Sequence, residues 1–230
     1  MDEAHMLGRG KHLDRFGYED VNAIMKRHLE RVLKIAEAYG YEVMLWSDMY
    51  FRPWNNGRYM IPKCEMPQEI VDAFPSSVIP VYWDYFQQNE KAYCDMIENH
   101  KQLSDKTWFA GGACCWYGFV PYNRYTLKTM IPALDACKKH GIKNIFITMW
   151  GDDGAECSRF ALLPSLFYLS EYAKGNADEA SIKEKFKRFS GIEFDQFMAL
   201  DCPNDVVEYH GRPRNPSKYM LYSDCFNDFI

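Results

Sequence analysis

The chain has no run approaching the roughly 20 consecutive apolar residues that a helix needs to cross a bilayer, so no membrane partner is expected. Its first residues also lack the basic segment followed by a hydrophobic one that marks a secretory leader. Cytoplasm is therefore the default location, unless a further segment precedes Met1. Basic charge is not in excess. Against 32 Asp and Glu stand 27 Lys and Arg, for a net charge of -5, which leaves no broad positive field for nucleic acid. The eight cysteines include no CxxC pair, and the adjacent Cys114 and Cys115 would face opposite sides of a strand. They read as reduced, mostly buried thiols, with no structural zinc expected.

Several motifs of known chemistry are missing as well. "GGACCWYG" lacks the spacing and the Lys-Ser/Thr ending of a phosphate loop, and "GRGKHLDRFG" does not meet the dinucleotide fingerprint. Ser158 has no GxSxG setting. His5 lies close to Glu3, but there is no HExxH arrangement. Asp152, Asp153 and Glu156 read as a solvated acidic turn ahead of a helix rather than a cation site. Neither a metal nor a cofactor is expected.

What is present is apolar and aromatic. Hydrophobic residues make up 47% of the chain and aromatics 16%, enough for a substantial core in one or two domains. Residues 19 to 39 place Ile24, His28, Val32, Ile35 and Tyr39 at helical spacing before a stop at Gly40. "YEVMLWSDMYF" then reads as a buried strand with polar groups at its C-terminal edge. The alternation repeats: a short helix at 68 to 73 precedes "SSVIPVYWDYF", "NEKAYCDMIENHKQL" precedes "KTWFAGGACCW", and a helix containing Pro132 precedes "IKNIFITMWGDDGAECS". Such alternation predicts an α/β protein with parallel strands buried on both faces. Residues 159 to 230 read as helical, with Asp178 as a cap and a break at Pro203.

The strand ends carry the chemistry. Trp46 with Asp48, Tyr82 with Asp84, Trp108 with Trp116 nearby, and Trp150 with Asp152 and Asp153 all combine aromatics with carboxylates. Positions i and i+2 of a strand share a face. For any single tryptophan, packing is the commoner role. Ionised aspartates are nonetheless costly to bury unpaired, and the C-terminal mouth of parallel strands is where α/β proteins hold ligands. Aromatic faces beside hydroxyl-accepting carboxylates suggest a sugar or polyol pocket. The glycines of "FAGGACCWYGF" and "WGDDG" would permit close approach or tight turns.

"MDEAH", taken with "WSDMYF", "YWDYF" and "MWGDDGAECS", resembles the catalytic barrel of family 20 glycoside hydrolases, the β-N-acetylhexosaminidases. The resemblance implies a partial (β/α)8 barrel over residues 1 to 175, from the end of strand four through strand eight, followed by a helical C-terminal segment over 176 to 230. It implies retaining, substrate-assisted hydrolysis of terminal N-acetylglucosaminides or N-acetylgalactosaminides. Glu3 would be the general acid and then the base, and Asp2 would orient the 2-acetamido group as its oxygen attacks the anomeric carbon. Trp46 and Trp150 would wall the sugar. Tyr82 would bond the acetamide oxygen, and Asp48, Asp84, Trp108, Trp116 and Asp152 would complete the substrate contacts.

Adjacent side chains on an ideal strand point opposite ways, so the Asp2-Glu3 pair demands a bend. The family's strand-one arginine and first strands have no counterpart in the 230 residues. The isolated chain is accordingly expected to be inactive or nearly so, and to self-associate through open barrel edges. Two other readings stand beside this one: a non-catalytic carbohydrate-binding or assembly remnant, and an unrelated α/β protein whose aromatic strand ends are packing.

Overall fold

The computed structural model describes residues 3–152, 154–204, 213 and 216–222. Two helices open it, the short α1 (Lys11–Phe16) and the longer α2 (Val21–Ala38). The alternation then runs β1 (Val43–Trp46), α3 (Gln68–Ala73), β2 (Val78–Trp83), α4 (Glu90–Leu103), β3 (Trp108–Gly112), α5 (Asn123–His140) and β4 (Ile145–Thr148). Helices α6 (Leu163–Ala173), α7 (Glu179–Ser190), α8 (Phe194–Met198) and α9 (Pro216–Tyr222) follow. The four strands form one parallel sheet in chain order. Strands β1 and β2 pair in parallel from Val43 opposite Val78 to Trp46 opposite Val81. No helix among the described residues is long and apolar enough to cross a membrane.

The chain divides into two compact units. The first comprises Met1–Trp83, Lys91–Phe109 and Lys139–Ile145, and the second Asp84–Glu90, Ala110–Lys138 and Phe146–Ile230. In the first, every residue of β2 is buried, as expected of a strand covered on both faces. Its core is aromatic: Tyr82 stacks obliquely on His100 at 4.7 Å and meets Phe109 edge-on at 5.3 Å, while Phe51 lies 4.7 Å from His100. Helix α2 is capped by Asp20, which accepts from Ala23 N–H at 3.1 Å; such a cap satisfies one of the orphan donors of the first turn. The helix buries Met25 and Leu29. Val32, Ile35 and Tyr39, the later members of its apolar stripe, are exposed.

In the second unit, α5 buries Met130, Ala133, Leu134, Ala136 and Cys137 despite its internal Pro132. Its first turn is held from 77 residues away, where Asp201 Oδ2 accepts from Arg124 N–H at 2.7 Å. Helices α7 and α8 meet over Phe186, Phe194 and Met198, with Leu163 and Phe167 of α6 packed against them. Asp178 caps α7 by accepting from Ala180 N–H at 3.2 Å. Gly191 ends that helix at φ 76°, a left-handed conformation that glycine adopts without the Cβ clash of other residues. The seven described cysteines are free thiols.

Candidate functional site

In the first unit the chemistry gathers where β1 ends. The strand stops at Trp46, and Asp48–Tyr50 form a tight 3-10 turn, so strand alternation does not carry through to Asp48. The turn instead buries Asp48 completely. Its Oδ2 accepts from Arg52 Nε at 2.8 Å and from the backbone N–H of Glu3 at 3.0 Å. Arg52 also reaches Glu3 Oε1 through Nη2 at 3.5 Å, donates from Nη1 to Gly57 O at 3.1 Å, and lies over the Tyr59 ring at 5.7 Å. Asp48 Oδ1 is buried and has no hydrogen-bond partner among the described residues. A buried carboxylate oxygen left so is costly, and a hydroxyl donor is the kind of group that would satisfy it.

Glu3 has φ 46°. A non-glycine residue in the left-handed region costs about 1–3 kcal/mol and persists where its surroundings over-determine it. The expected bend of the Asp2-Glu3 pair involves Asp2, which lies outside the described residues. The Glu3 side chain is 56% exposed, against 15% for Arg52, so its carboxylate remains open to a ligand while its backbone is tied.

Behind the turn lies a buried polar chain. His100 Nδ1 sits 2.6 Å from Met96 O; a carbonyl can only accept, so Nδ1 carries the proton and Nε2 is the acceptor. Ser47 Oγ lies 2.6 Å from Nε2 and 2.9 Å from Val81 O, two acceptors that share its single proton, and Tyr59 OH stands 3.0 Å from Ser47 Oγ. Trp83 N–H in turn donates to Tyr59 OH at 3.2 Å. Burial pushes the His100 pKa down to about 3, with the bond to Met96 O opposing the shift. Ser47 and His100 are both fully buried, and the imidazole is oriented by a carbonyl rather than a carboxylate. That geometry fastens β1 to β2 and α4; it does not present a nucleophile.

In the second unit, Asp84 is fully buried and its Oδ1 accepts from Phe86 N–H at 2.9 Å. This local turn brings Tyr85 edge-on to Trp116 at 5.5 Å and to Trp150 at 6.5 Å. The cluster explains a glycine. A Cβ on Gly112 would stand 2.6 Å from Tyr85 Cδ1 and 2.9 Å from Trp116 Cη2. The backbone there closes on aromatic rings of the chain itself.

The acidic turn after β4 is open to solvent, with Asp152 exposed. Gly154 at φ 99° and Ala155 at φ 55° shape it, and a Cβ at 154 would run into the Glu156 carboxylate. Glu156 pairs with Lys218 at 3.1 Å, and that bond holds its pKa below the usual range. Arg159 Nε donates to Met149 O at 3.3 Å. Among the described residues no three His, Cys, Asp or Glu side chains group as metal ligands.

The structure thus brings Glu3 and Asp48 together and sets Trp46, half-buried, at the end of the same strand. It gathers Trp116 and Trp150 around Tyr85, an aromatic that sequence reasoning passed over in favour of Tyr82. Tyr82 itself is fully buried in the core of the first unit. Trp108 is the first residue of β3 rather than near its end; it lines a groove with Lys101, Ile142 and Asn144 at the start of the strands. Asp2 and Asp153 lie outside the described residues. Arg52 was also missed, and its signal was its position four residues after Asp48 on a turn. Compared with known proteins, the chain matches no family model, and no curated protein matches it.

Proposed function

We propose that the chain carries the acid/base and sugar-binding parts of a retaining β-N-acetylhexosaminidase of the family 20 kind, on the second half of a (β/α)8 barrel. The observation that supports this best is Glu3, an open carboxylate held on a left-handed backbone by a buried aspartate at the end of a parallel strand. In this reading Glu3 protonates the glycosidic oxygen as the anomeric bond breaks, and the substrate's acetamide oxygen attacks the anomeric carbon. Asp2 holds the acetamide N–H and offsets the charge of the resulting oxazolinium ion. Glu3, now ionised, takes a proton from the water that opens the ring, so no protein nucleophile is needed. Trp46, half-buried at the end of the strand beside Glu3, supplies an apolar face to the sugar.

The test is release of nitrophenol from a β-N-acetylglucosaminide, its galacto epimer and the matching β-glucoside by the purified chain. The reading expects weak turnover of the acetamido substrates, none of the glucoside, and loss of roughly 10²–10⁴-fold in Glu3→Gln. Equal turnover of the glucoside, or activity indifferent to Glu3→Gln, overturns it. Saturable binding of N-acetylglucosamine without turnover supports instead a carbohydrate-binding remnant. The unsatisfied Asp48 Oδ1 is compatible with that second reading too.

A further inference from the structure

We propose that Asp48 and Arg52 are positioning residues that clamp Glu3, and that Arg52 in particular acts on the glutamate from two sides. One side is the backbone. Arg52 Nε fixes Asp48 Oδ2 at 2.8 Å, and that same oxygen accepts from Glu3 N–H at 3.0 Å. The other side is the carboxylate, which Arg52 Nη2 approaches at 3.5 Å. A single planar guanidinium with five donors can do both at once, where a lysine ammonium on a flexible stem cannot reproduce the fork.

The clamp is itself anchored. Arg52 Nη1 donates to Gly57 O at 3.1 Å, and the Tyr59 ring beneath the guanidinium at 5.7 Å is tied to Ser47 and Trp83. The guanidinium is therefore referenced to β1 and β2, the paired strands of the first unit. Its consequence is local. Glu3 adopts φ 46°, a conformation that relaxes when the bond to its N–H is lost. The role differs from the hydroxyl contact that the family resemblance suggests for Asp48, because its Oδ2 is committed to protein donors.

The catalytic consequence rests on the reading of Glu3 given above; the structural one does not. Amide hydrogen exchange at Glu3 is followed by NMR in wild type, Arg52→Met, Arg52→Lys and Asp48→Asn, alongside kcat and KM for the nitrophenyl N-acetylglucosaminide. The clamp expects the Glu3 amide to be protected in wild type and to exchange faster in Arg52→Met, with Arg52→Lys intermediate. Asp48→Asn, which retains a carbonyl oxygen for the Glu3 N–H but loses its charge, falls between wild type and Arg52→Met. It expects kcat to fall roughly 10- to 100-fold in Arg52→Met, the scale of a misplacement near 1 Å, with KM little changed. Unchanged exchange at Glu3 in both Arg52→Met and Asp48→Asn overturns the clamp. So does a loss confined to KM. If wild type and Glu3→Gln turn over alike, the hydrolase reading fails while the exchange data still decide the clamp.

Discussion

His100 makes a pH-dependent contribution to stability whose size follows from its burial. In the folded chain its pKa is about 3, whereas an unfolded imidazole titrates near 6.5. Below about pH 6.5 the unfolded state therefore binds a proton that the folded state refuses, and stability falls as pH falls. At pH 5 the penalty is RT ln(1 + 10^1.5), or about 2 kcal/mol, and at pH 7 it is about 0.2 kcal/mol. The loss accumulates between these values and stops growing only near the folded pKa. Urea unfolding at pH 7, 6 and 5, followed by tryptophan fluorescence, reads it directly. Carboxylates titrate over part of the same window, so the comparison is with His100→Gln, whose lower absolute stability does not matter because only the slope is read. Wild type should lose about 2 kcal/mol more than the variant from pH 7 to pH 5. Parallel pH dependences would refute the buried neutral imidazole. Ring carbon shifts of His100 offer a second check that needs no variant: they should stay constant with pH until the chain unfolds.

Gly112→Ala forces a Cβ against the Tyr85 and Trp116 rings at 2.6 and 2.9 Å, an overpacking expected to cost about 1–3 kcal/mol; a thermal midpoint equal to wild type would show that the rings yield freely. Asp201→Ala removes the acceptor for Arg124 N–H at the start of α5, with a loss of about 0.5–2 kcal/mol by urea unfolding. Tyr172→Phe deletes the bond from its hydroxyl to Asp135 Oδ1 at 2.8 Å and should cost about 0.5–1.5 kcal/mol by the same measurement.

The periodic parts of the fold were readable from the residues alone. The helix at 68 to 73, the cap at Asp178, and the four helix-to-strand alternations follow from local chemistry: spacing of apolar positions, a side-chain acceptor before the first turn, and β-rich runs between helices. The site was legible only in part, because its geometry depends on where the strands stop. Strand alternation suggested that Trp46 and Asp48 share a face, but the 3-10 turn at Asp48–Tyr50 turns the carboxylate inward. Tyr82 is buried in the core of the first unit, whereas Tyr85, on the turn where Asp84 Oδ1 accepts from Phe86 N–H, meets Trp116. The apolar stripe of α2 was visible, yet Val32, Ile35 and Tyr39 are exposed, since periodicity tells which residues share a face and not whether anything covers it. Arg52 was signalled only by its spacing four residues after Asp48, and an arginine in a loop is ordinarily solvated.

The central claim is that Glu3 donates a proton to the leaving oxygen, and leaving-group dependence tests it most directly. Wild type and Glu3→Gln are compared on N-acetylglucosaminides whose leaving groups are a weakly acidic phenol and dinitrophenol, which departs without protonation. The account predicts a loss of roughly 10²–10⁴-fold for the variant with the poor leaving group and a far smaller one with dinitrophenol. Equal losses with both leaving groups, or no loss with either, would contradict it.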